Sequence, residues 1–403
     1  MLKDKLEQVI AEQRTNLHLT DNNVIREDLV SLSPTSGFVL VISGIRRCGK
    51  STIVKQMLNK ENRFYYLNLE DLRLNDFELS DFIKINEIFK ETYGTNGTYF
   101  FDEIQTIPKW EKFIRSLADN KNKIVVTGSN ASLLSKELGS LLTGRYLSYE
   151  LFPFSYKEFL DFIKQTPSKK SLELFLEQGG FPEYLRVKDV NVLQELFNSV
   201  LMRDVAIRFN IKNTNLLKKI GSFLVSNVGK EFSYNKLKKN FSVSSVQTII
   251  DYINFFEDAY LLFTIPKFSY SPSKQQVSPK KIYSVDNGIS RANSISFSKD
   301  KGRMLENTVF QELRRKHREI FYFREKFECD FLVKEKDKIT KAIQVCFELN
   351  SDNKTREIQG LIEAMKKTKL KKGTIVTFDQ EDSFVLQGFN ISLIPAWKWL
   401  LKK

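Results

Sequence analysis

The segment "GIRRCGKST", residues 44–52, has the residue types and the spacing needed to bind a nucleoside triphosphate. It fits G-x-x-x-x-G-K-[ST] at every fixed position. Glycines let backbone N–H groups approach phosphate oxygens, and a following helix adds the positive end of its dipole. Lys50 would bridge the β- and γ-phosphates, and the Ser51 hydroxyl would bind Mg²⁺. The predicted nucleotide-binding residues are Gly44, Ile45, Arg46, Arg47, Cys48, Gly49, Lys50, Ser51 and Thr52.

The residues around this segment have the pattern of a strand, a loop and a helix. "FVLVISG" (residues 38–44) is a short apolar run suited to a buried parallel strand, and "STIVKQML" has helical spacing. This context favours a phosphate-binding loop over a chance glycine turn.

A second apolar run, "GTYFFDEIQ" (residues 97–105), ends in two adjacent carboxylates, Asp102 and Glu103. An acid at the tip of a hydrophobic strand is costly unless it serves a cation or a water molecule. We expect Asp102 to bind Mg²⁺ and Glu103 to orient and polarise the attacking water. The alternative is that both acids merely open the turn before "TIPKW".

A third run, "NKIVVTGSN" (residues 122–130), ends in small polar residues. Ser129 or Asn130 would read the γ-phosphate, although a simple turn explains either one alone. Three strands that each carry chemistry at their carboxyl end match the ligand crevice of a doubly wound sheet. The sequence therefore predicts an α/β fold with a parallel sheet.

Composition narrows the class of protein further. A chain of 403 residues predicts two to four domains, and its 41% hydrophobic residues exclude disorder. The three cysteines are far apart, so neither a disulfide framework nor a zinc site is expected. Without a signal peptide or a long apolar run, the sequence predicts a cytoplasmic protein with no membrane partner. The net charge of +14 permits binding to polyanions, but a low-GC coding bias also enriches lysine.

Five segments together resemble the AAA+-like ATPases of archaea and Bacteroides-type bacteria: "GIRRCGKST", "FYYLNLEDLRL", "YFFDEIQTIPKWEKFIRSLAD", "VVTGSNASLLS" and "LLTGRYLSYELFPFSYKEFL". The resemblance implies an ATPase core that uses ATP and Mg²⁺, a helical lid, a winged helix and a nuclease-like C-terminal domain. It also makes Arg145, in "TGR", a candidate arginine finger, with a surface contact as the alternative. Because AAA+ sites usually lie between subunits, a finger acting in trans implies a homo-oligomer.

Residues 233–286 have the element order of a winged helix. A short helix (residues 233–240) and a capped helix starting near Ser244 precede two β-like segments, "YLLFTIPKF" and "KKIYSVD", joined by a Pro/Ser/Lys loop. Such modules bind DNA phosphates through basic residues, and they also serve as protein–protein joints. The candidate DNA contacts are Lys236, Lys238, Lys239, Lys274, Lys280 and Lys281.

The last third resembles a PD-(D/E)XK nuclease core, with a helix, "GRMLENTVFQELRRK", followed by three strands. Glu306 and Asp330 occupy acid positions of that core, which binds metal and activates water. Gln344 replaces the second acid, and Cys346 replaces the lysine. Gln344 would still bind a metal weakly through its carbonyl, but a thiol cannot supply a positive charge. We therefore interpret Glu306, Asp330 and Gln344 as a vestigial nuclease site without cleavage activity.

The predicted domains are an ATPase core (residues 1–155), a helical lid (156–210), a winged helix (211–285) and an inactive nuclease-like domain (286–403). Together they predict an ATP-hydrolysing, oligomeric motor or remodeller that acts on duplex or branched DNA, Holliday junctions included. One alternative is a nucleotide-dependent signalling or defence switch that binds protein partners. A second alternative is an ATP-regulated nuclease.

Overall fold

The structure is a computed structural model that describes residues 1–17, 24–30, 32–131, 142, 144–295 and 300–402. Contacts divide the chain into two compact units, Met1–Leu151 and Phe152–Lys403. Residues 132–135 of "VVTGSNASLLS" and residues 141 and 143 of "LLTGR" lie outside the described residues. The sequence prediction placed its first boundary at residues 155/156, and its division into four domains stays a prediction.

The first unit is built on a parallel sheet of five strands in the order β2-β3-β4-β1-β5. The strands are β1 (Val39–Ser43), β2 (Phe64–Asn68), β3 (Thr98–Asp102), β4 (Ile124–Gly128) and β5 (Tyr146–Glu150). The helices are α1 (Lys3–Asn16), α2 (Lys50–Leu58), α3 (Asp81–Tyr93) and α4 (Trp110–Asp119), with 3₁₀ turns at Glu27–Val30, Leu72–Leu74 and Ile104–Thr106. The predicted α/β class and the three predicted strands are confirmed.

Burial on both faces explains why the central strands are continuous apolar runs. Every residue of β1, β3 and β4 is buried, as expected for parallel strands covered by helices on each side. On one face Phe82 stacks on Phe113 with ring centroids 4.5 Å apart and meets Phe101 edge-on at 5.8 Å. These aromatic contacts fix α3 and α4 against the strand that carries the acid pair.

Strand order decides which strand ends are neighbours. β4 lies between β1 and β3, and all three run in the same direction. The phosphate-binding loop after β1, the polar end of β4 and the acids that end β3 therefore lie side by side at the carboxyl edge of the sheet.

The second unit begins with helices where the sequence predicted a helical stretch: α5 (Tyr156–Ile163), α6 (Lys169–Gln178), α7 (Pro182–Val187), α8 (Asn191–Ser199) and a π-helix (Val200–Ile207). The predicted break at "QGGFPEYLR" is confirmed, because Gly179 ends α6 with φ 72° and Pro182 begins α7.

A small antiparallel sheet with the order β6-β8-β7 follows. Its elements are α9 (Thr214–Val225), β6 (Glu231–Phe232), α10 (Tyr234–Asn240), α11 (Val246–Asp258), β7 (Leu262–Pro266), α12 (Pro272–Val277) and β8 (Lys280–Ser284). Between β7 and β8 the sequence predicted only a loop, and that prediction is incomplete. The connection contains the short helix α12, which Pro272 begins at a position where proline loses no hydrogen bond.

The chain ends in a mixed sheet of six strands in the order β13-β14-β12-β11-β10-β9. Its elements are α13 (Asn287–Asn293), α14 (Lys301–Lys316), β9 (Glu319–Arg324), β10 (Glu328–Glu335), β11 (Lys338–Cys346), α15 (Lys354–Thr368), β12 (Lys372–Thr377), β13 (Asp382–Leu386), β14 (Phe389–Pro395) and α16 (Ala396–Trp399). The predicted helix and the three strands after it are confirmed. Among the described residues, no helix is long and apolar enough to cross a membrane.

Candidate functional site

The loop between β1 and α2 depends on two glycines. A Cβ atom on Gly44 would lie 2.1 Å from the carbonyl oxygen of Leu151, so no larger residue fits there. Gly49 has φ 106°, a conformation that L-residues rarely adopt, and it caps the first turn of α2. The loop therefore passes close to the end of β5 and leads directly into a helix N-terminus.

Lys50 is buried, and its ammonium group donates hydrogen bonds to backbone carbonyls of the loop that precedes it. Nζ donates to the carbonyl oxygens of Gly44 (3.1 Å) and Ile45 (3.3 Å) and lies 3.3 Å from Oε1 of Glu103. Burial alone would lower the pKa of Lys50, but the negative charges nearby, led by Glu103, outweigh it and raise the pKa. Lys50 is therefore charged and lies where the loop meets the acid pair.

Asp102 is held among hydroxyl groups. Thr127 Oγ1 donates to its Oδ1, the Tyr66 hydroxyl donates to its Oδ2 (3.4 Å), and Ser51 also hydrogen-bonds to the carboxylate. Burial and the charge of Glu103 raise the pKa of Asp102. Oxygen donors from a carboxylate and a hydroxyl are what Mg²⁺ prefers, so Asp102 and Ser51 together fit that ion.

Glu103 has the left-handed backbone conformation, with φ 53°. Its N–H donates to Thr127 Oγ1 (3.0 Å), and its Oε2 accepts from Gln105 Nε2 (2.6 Å). Burial would raise the pKa of Glu103, but Lys50, Gln105 and Arg46 outweigh it and lower the pKa. The carboxylate is therefore ionised and fixed by groups on both sides.

The other predicted loop residues differ in what they offer to a ligand. Ile45 and Cys48 have fully buried side chains, so only their backbone is available. Arg46 forms an ion pair with Glu70 (2.8 Å), Arg47 adopts φ 63°, and Thr52 is half-buried on the first turn of α2.

The polar end of β4 joins the same network. Ser129 and Asn130 are both buried, and Ser129 Oγ lies 3.4 Å from Gln105 Nε2, the amide that also contacts Glu103. The structure therefore brings Ser129 beside the acid pair through Gln105, with Asn130 next to it in the chain.

Arg145 lies at the amino ends of the strands, opposite to the carboxyl edge that carries the loop and the acid pair. It precedes β5, its carbonyl oxygen accepts from Val39 N–H (3.1 Å), and its guanidinium pairs with Asp119 (2.8 Å). A strand of five residues separates it from the carboxyl edge, a distance of about 16 Å. The predicted finger is therefore not brought to the loop of its own chain.

Four residues of this neighbourhood were missed in the sequence: Arg26, Tyr66, Gln105 and Thr127. Thr127 is the polar residue inside the apolar run "IVVTG", which was the available signal. Gln105 directly follows the acid pair. Nothing in the sequence pattern singled out Tyr66 or Arg26, because their importance comes from contacts between distant segments.

In the second unit, the predicted DNA contacts are not equally accessible. Lys236, Lys239 and Lys274 are exposed, whereas Lys238 and Lys280 are half-buried. The ammonium of Lys280 lies 5.5 Å from the centre of the Tyr234 ring.

The prediction for Lys281 is wrong. Successive strand residues face opposite sides of a sheet, so Lys281 points inward where Lys280 points outward. Its side chain is 2% exposed, and Nζ lies 2.7 Å from Glu328, 2.9 Å from Asp330 and 3.0 Å from Glu306. Burial would lower the pKa of Lys281, but these carboxylates raise it well above its ordinary value. A lysine in this position is an internal counter-ion and does not contact phosphates.

The three residues interpreted as a vestigial nuclease site do lie together, around that lysine. Asp330 accepts from Val345 N–H (2.9 Å), and Glu306 accepts from the Tyr283 hydroxyl (2.6 Å). Burial raises the pKa of Asp330 to about 7, against the opposing charge of Lys281.

Gln344 uses both ends of its amide within the protein. Oε1 accepts from Asp330 N–H (3.1 Å), and Nε2 donates to Glu357 (2.5 Å). The carbonyl that was expected to bind a metal weakly therefore has a protein donor. Cys346 is buried and donates to the carbonyl oxygen of Glu348 (3.1 Å). Within the described part of the chain, no group of three His, Cys, Asp or Glu residues is placed to hold a metal ion.

Comparison with known proteins identifies three consecutive regions. Residues 36–160 match the family model of an AAA domain, and residues 169–299 and 301–399 match two domains of unknown function, DUF8612 and DUF4143. The chain is 37% identical to the uncharacterized protein MJ1544 of Methanocaldococcus jannaschii, over 94% of this chain and 91% of that protein. It is 29% identical to an uncharacterized protein of Haemophilus influenzae, over 92% and 96% of the two chains. Among solved structures, the Walker-type ATPase of Pyrococcus abyssi matches with a TM-score of 0.46 and 14% identity, over 69% of this chain and 99% of that one.

Proposed function

Because the chain belongs to the same family as MJ1544 of Methanocaldococcus jannaschii and carries an AAA domain, we propose that it binds ATP and hydrolyses it to ADP and phosphate. One observation carries this proposal. Lys50, Ser51, Asp102 and Glu103 come from two separate segments and meet at one edge of the sheet, within hydrogen-bond or ion-pair contact of one another. Each has the side chain that phosphoryl transfer requires at that position.

The side chains have separate roles in this proposal. Backbone N–H groups of the loop and the ammonium of Lys50 bind the phosphates, and Ser51 and Asp102 would hold Mg²⁺. When bound, that ion neutralises charge that develops on the phosphate oxygens. Glu103, ionised and fixed by Thr127 and Gln105, accepts a proton from the attacking water at its carboxylate. Ser129 accepts a hydrogen bond from Gln105, and Gln105 in turn holds the Glu103 carboxylate beside the end of β4.

Replacing Lys50 with alanine tests the binding step. We expect affinity for ATP and ADP to fall about 10-fold to 100-fold, because a hydrogen bond to a charged group is worth about 1.5–3 kcal/mol. Equilibrium binding of a fluorescent ADP analogue measures this loss. Lys90→Ala, at an exposed position on α3, is the matched control and should bind normally. Normal binding by Lys50→Ala would rule out the proposed site.

We further propose that subunits assemble so that Arg145 serves a neighbouring site. The support is its location: it lies about 16 Å from the carboxyl edge of its own sheet, and its side chain is 45% exposed, so a second subunit can reach it. Sedimentation of the protein with and without a non-hydrolysable ATP analogue tests this. A monomer under both conditions would remove Arg145 from any catalytic role.

DNA is the proposed partner of the second unit. The order helix, strand, helix, helix, strand, short helix, strand over residues 214–284, with its antiparallel three-stranded sheet, supports a winged helix in which α12 lies in the connection between the last two strands. However, α11, the second of the two adjacent helices of this module, contains no Lys or Arg. The exposed lysines Lys236 and Lys239 lie on α10 and Lys274 on α12, so we propose phosphate contacts through these two short helices.

Salt dependence tests the DNA proposal. Each neutralised phosphate contributes about −0.9 to the slope of log affinity against log salt. The double variant Lys236→Gln/Lys239→Gln is therefore expected to make the slope shallower by about 2, measured by filter binding to duplex, branched and single-stranded DNA. The control, Lys90→Gln/Lys112→Gln, removes two exposed lysines of the first unit and should leave the slope unchanged. Binding that salt does not weaken would contradict the proposal.

The competing function is a nucleotide switch that binds protein partners through the same unit. ATP turnover measured with and without DNA separates the two. Stimulation by one DNA structure supports the remodeller, including action on Holliday junctions if four-way junctions stimulate most. Turnover that no DNA changes supports the switch. The ATP-regulated nuclease predicts Mg²⁺- or Mn²⁺-dependent nicking that Asp330→Ala abolishes.

A further inference from the structure

Arg26 lies in the segment before β1 and is almost completely buried, with 1% of its surface exposed. Fully buried arginines are rare, because removing a guanidinium from water is costly unless its N–H groups find acceptors. One acceptor belongs to the phosphate-binding loop: Nη1 donates to the carbonyl oxygen of Cys48 at 2.8 Å. A charged side chain 22 residues upstream thus contacts the backbone of the loop.

The hydrogen bond from Arg26 to the Cys48 carbonyl fixes the orientation of one peptide group of the loop. The peptide bond between Cys48 and Gly49 is trans, so the Cys48 carbonyl and the Gly49 N–H point in opposite directions. With the carbonyl held by Arg26 on one side, the Gly49 N–H faces the other side of the loop. The loop takes positive φ values on either side of Cys48, at Arg47 (63°) and Gly49 (106°), and the hydrogen bond from Arg26 restrains the peptide group between Cys48 and Gly49.

Arg26 is itself fixed to the helix that the loop leads into. Its N–H donates to Gln56 Oε1 (3.2 Å), and Gln56 Nε2 donates to the carbonyl oxygen of Val24 (2.8 Å). Gln56 lies on α2, so these two hydrogen bonds attach the upstream segment to that helix. A Cβ on Gly49 would lie 3.1 Å from Nη1, which gives this glycine a second reason to be glycine.

We propose that Arg26 is a positioning residue of the phosphate-binding loop: it aims the Gly49 N–H at the phosphates and adds positive charge behind the loop. The charge reaches the loop, since Arg26 and Lys50 both oppose the burial that raises the pKa of the Cys48 thiol. The inference rests on the proposed ATP-binding function. It assigns to a residue outside the nucleotide-binding motif a share in recognising the diphosphate group that ATP and ADP have in common.

Arg26→Gln and Arg26→Lys test this role with a fluorescent ADP analogue as the probe. We expect Arg26→Gln to weaken binding of ATP and ADP alike by about 10-fold to 100-fold. This is the usual size for losing one hydrogen bond to a charged group, here the proposed bond from the Gly49 N–H to a phosphate oxygen. Turnover at saturating ATP should fall much less, because Lys50, Asp102 and Glu103 are still in place. Arg26→Lys keeps the charge and one donor and should bind with intermediate affinity. Millimolar guanidinium chloride, but not sodium chloride, should restore part of the affinity of Arg26→Ala.

Arg63→Gln is the matched control. Arg63 also donates to a loop carbonyl, that of Thr95, but it is exposed at the amino edge of the sheet. The Arg63→Gln variant should bind ADP with the affinity of the wild type. If Arg26→Gln unfolds, the lysine variant and the guanidinium rescue still give the answer. A purely structural role would lower the melting temperature and the fraction of active protein without changing the dissociation constant of the folded remainder.

Folded Arg26 variants that bind ADP with wild-type affinity would overturn the inference. That result differs from failure of the proposed function. If the wild type and Lys50→Ala both fail to bind ADP, the ATPase proposal is wrong. If only Lys50→Ala loses binding while Arg26→Gln keeps it, the ATPase proposal stands and the role of Arg26 falls.

Discussion

Replacing Glu103 with glutamine is expected to lower ATP turnover by about 10²-fold to 10⁴-fold, the range that general-base catalysis contributes. Glutamine has nearly the same shape but cannot accept a proton. Lys50, Gln105 and Arg46 keep the pKa of Glu103 low, so the wild-type carboxylate is ionised and able to act as the base at neutral pH. Release of phosphate over time measures the loss.

Binding of ATP should survive in the same variant. The ammonium of Lys50 lies 3.3 Å from Glu103, so the carboxylate competes with phosphate oxygens for this cation. Glutamine removes that competition, and the affinity for ATP is expected to be equal or higher. The control is Glu91→Gln, which removes the exposed ion pair with Lys3 (2.7 Å) in the same unit and should hydrolyse ATP normally. Normal turnover by Glu103→Gln would take the base role away from Glu103.

Replacing Lys281 with methionine is expected to cost about 3–5 kcal/mol of unfolding free energy near pH 8, the usual effect of removing one partner from a buried ion pair. Methionine fills much of the lysine's volume but leaves the carboxylates of Glu306, Glu328 and Asp330 without the cation that lies within 3.0 Å of each. Urea denaturation measures the change. Lys274→Met, at an exposed position on α12, is the matched control and should change stability by less than about 0.5 kcal/mol.

The destabilisation should depend on pH. The pKa of Asp330 is already raised to about 7 by burial, and loss of the lysine charge can only raise it further. A carboxyl whose pKa is higher in the folded than in the unfolded state binds more protons when folded, so stability falls as pH rises from the unfolded-state pKa to the folded-state pKa and levels off above it. With a higher folded-state pKa, the variant continues to lose stability above pH 7, where the wild type levels off. The variant is therefore expected to be closer to the wild type at pH 6 than at pH 8.

A second substitution checks the cause. Asp330→Asn in the Lys281→Met background removes one uncompensated charge and should recover part of the lost stability. Equal stability of Lys281→Met and the wild type at both pH values would mean that Lys281 does not act as the internal counter-ion. An equal loss at both pH values would point to lost packing as the cause.

The sequence alone was enough to predict the candidate nucleotide site of the first unit. The residue types of the loop motif predict a phosphate ligand. Glycine permits the backbone to come close to phosphates, and the lysine and the hydroxyl residue that follow the second glycine have the side chains that bind phosphate and Mg²⁺. Continuous apolar runs ending in "DE" and "GSN" identified β3 and β4 because burial on both faces forces such runs. The α/β class and the residues Lys50, Ser51, Asp102 and Glu103 could therefore be chosen from local pattern.

What the pattern could not supply are contacts between segments far apart in the chain. Thr127 joins Asp102 to Glu103 because β4 lies beside β3, and Arg26 reaches Cys48 because the segment before β1 folds back against the loop that follows β1. Strand direction, too, was decided by the tertiary structure: β5 runs parallel to β1, so Arg145, which precedes β5, lies at the amino ends of the strands. Local spacing carries no information about strand order.

Lys281 shows the same limit most clearly. In the sequence it is one of two adjacent lysines that begin a predicted strand, and a basic run suggests phosphate contact. Strand alternation turns one lysine to solvent and the other inward, and the charge that faces the inward lysine depends on Glu306, Glu328 and Asp330, which come from other elements. Residue types and local period set which side chains can do chemistry, whereas tertiary contacts alone decide which of them meet, because the free energy of a buried charge depends on its neighbours in space.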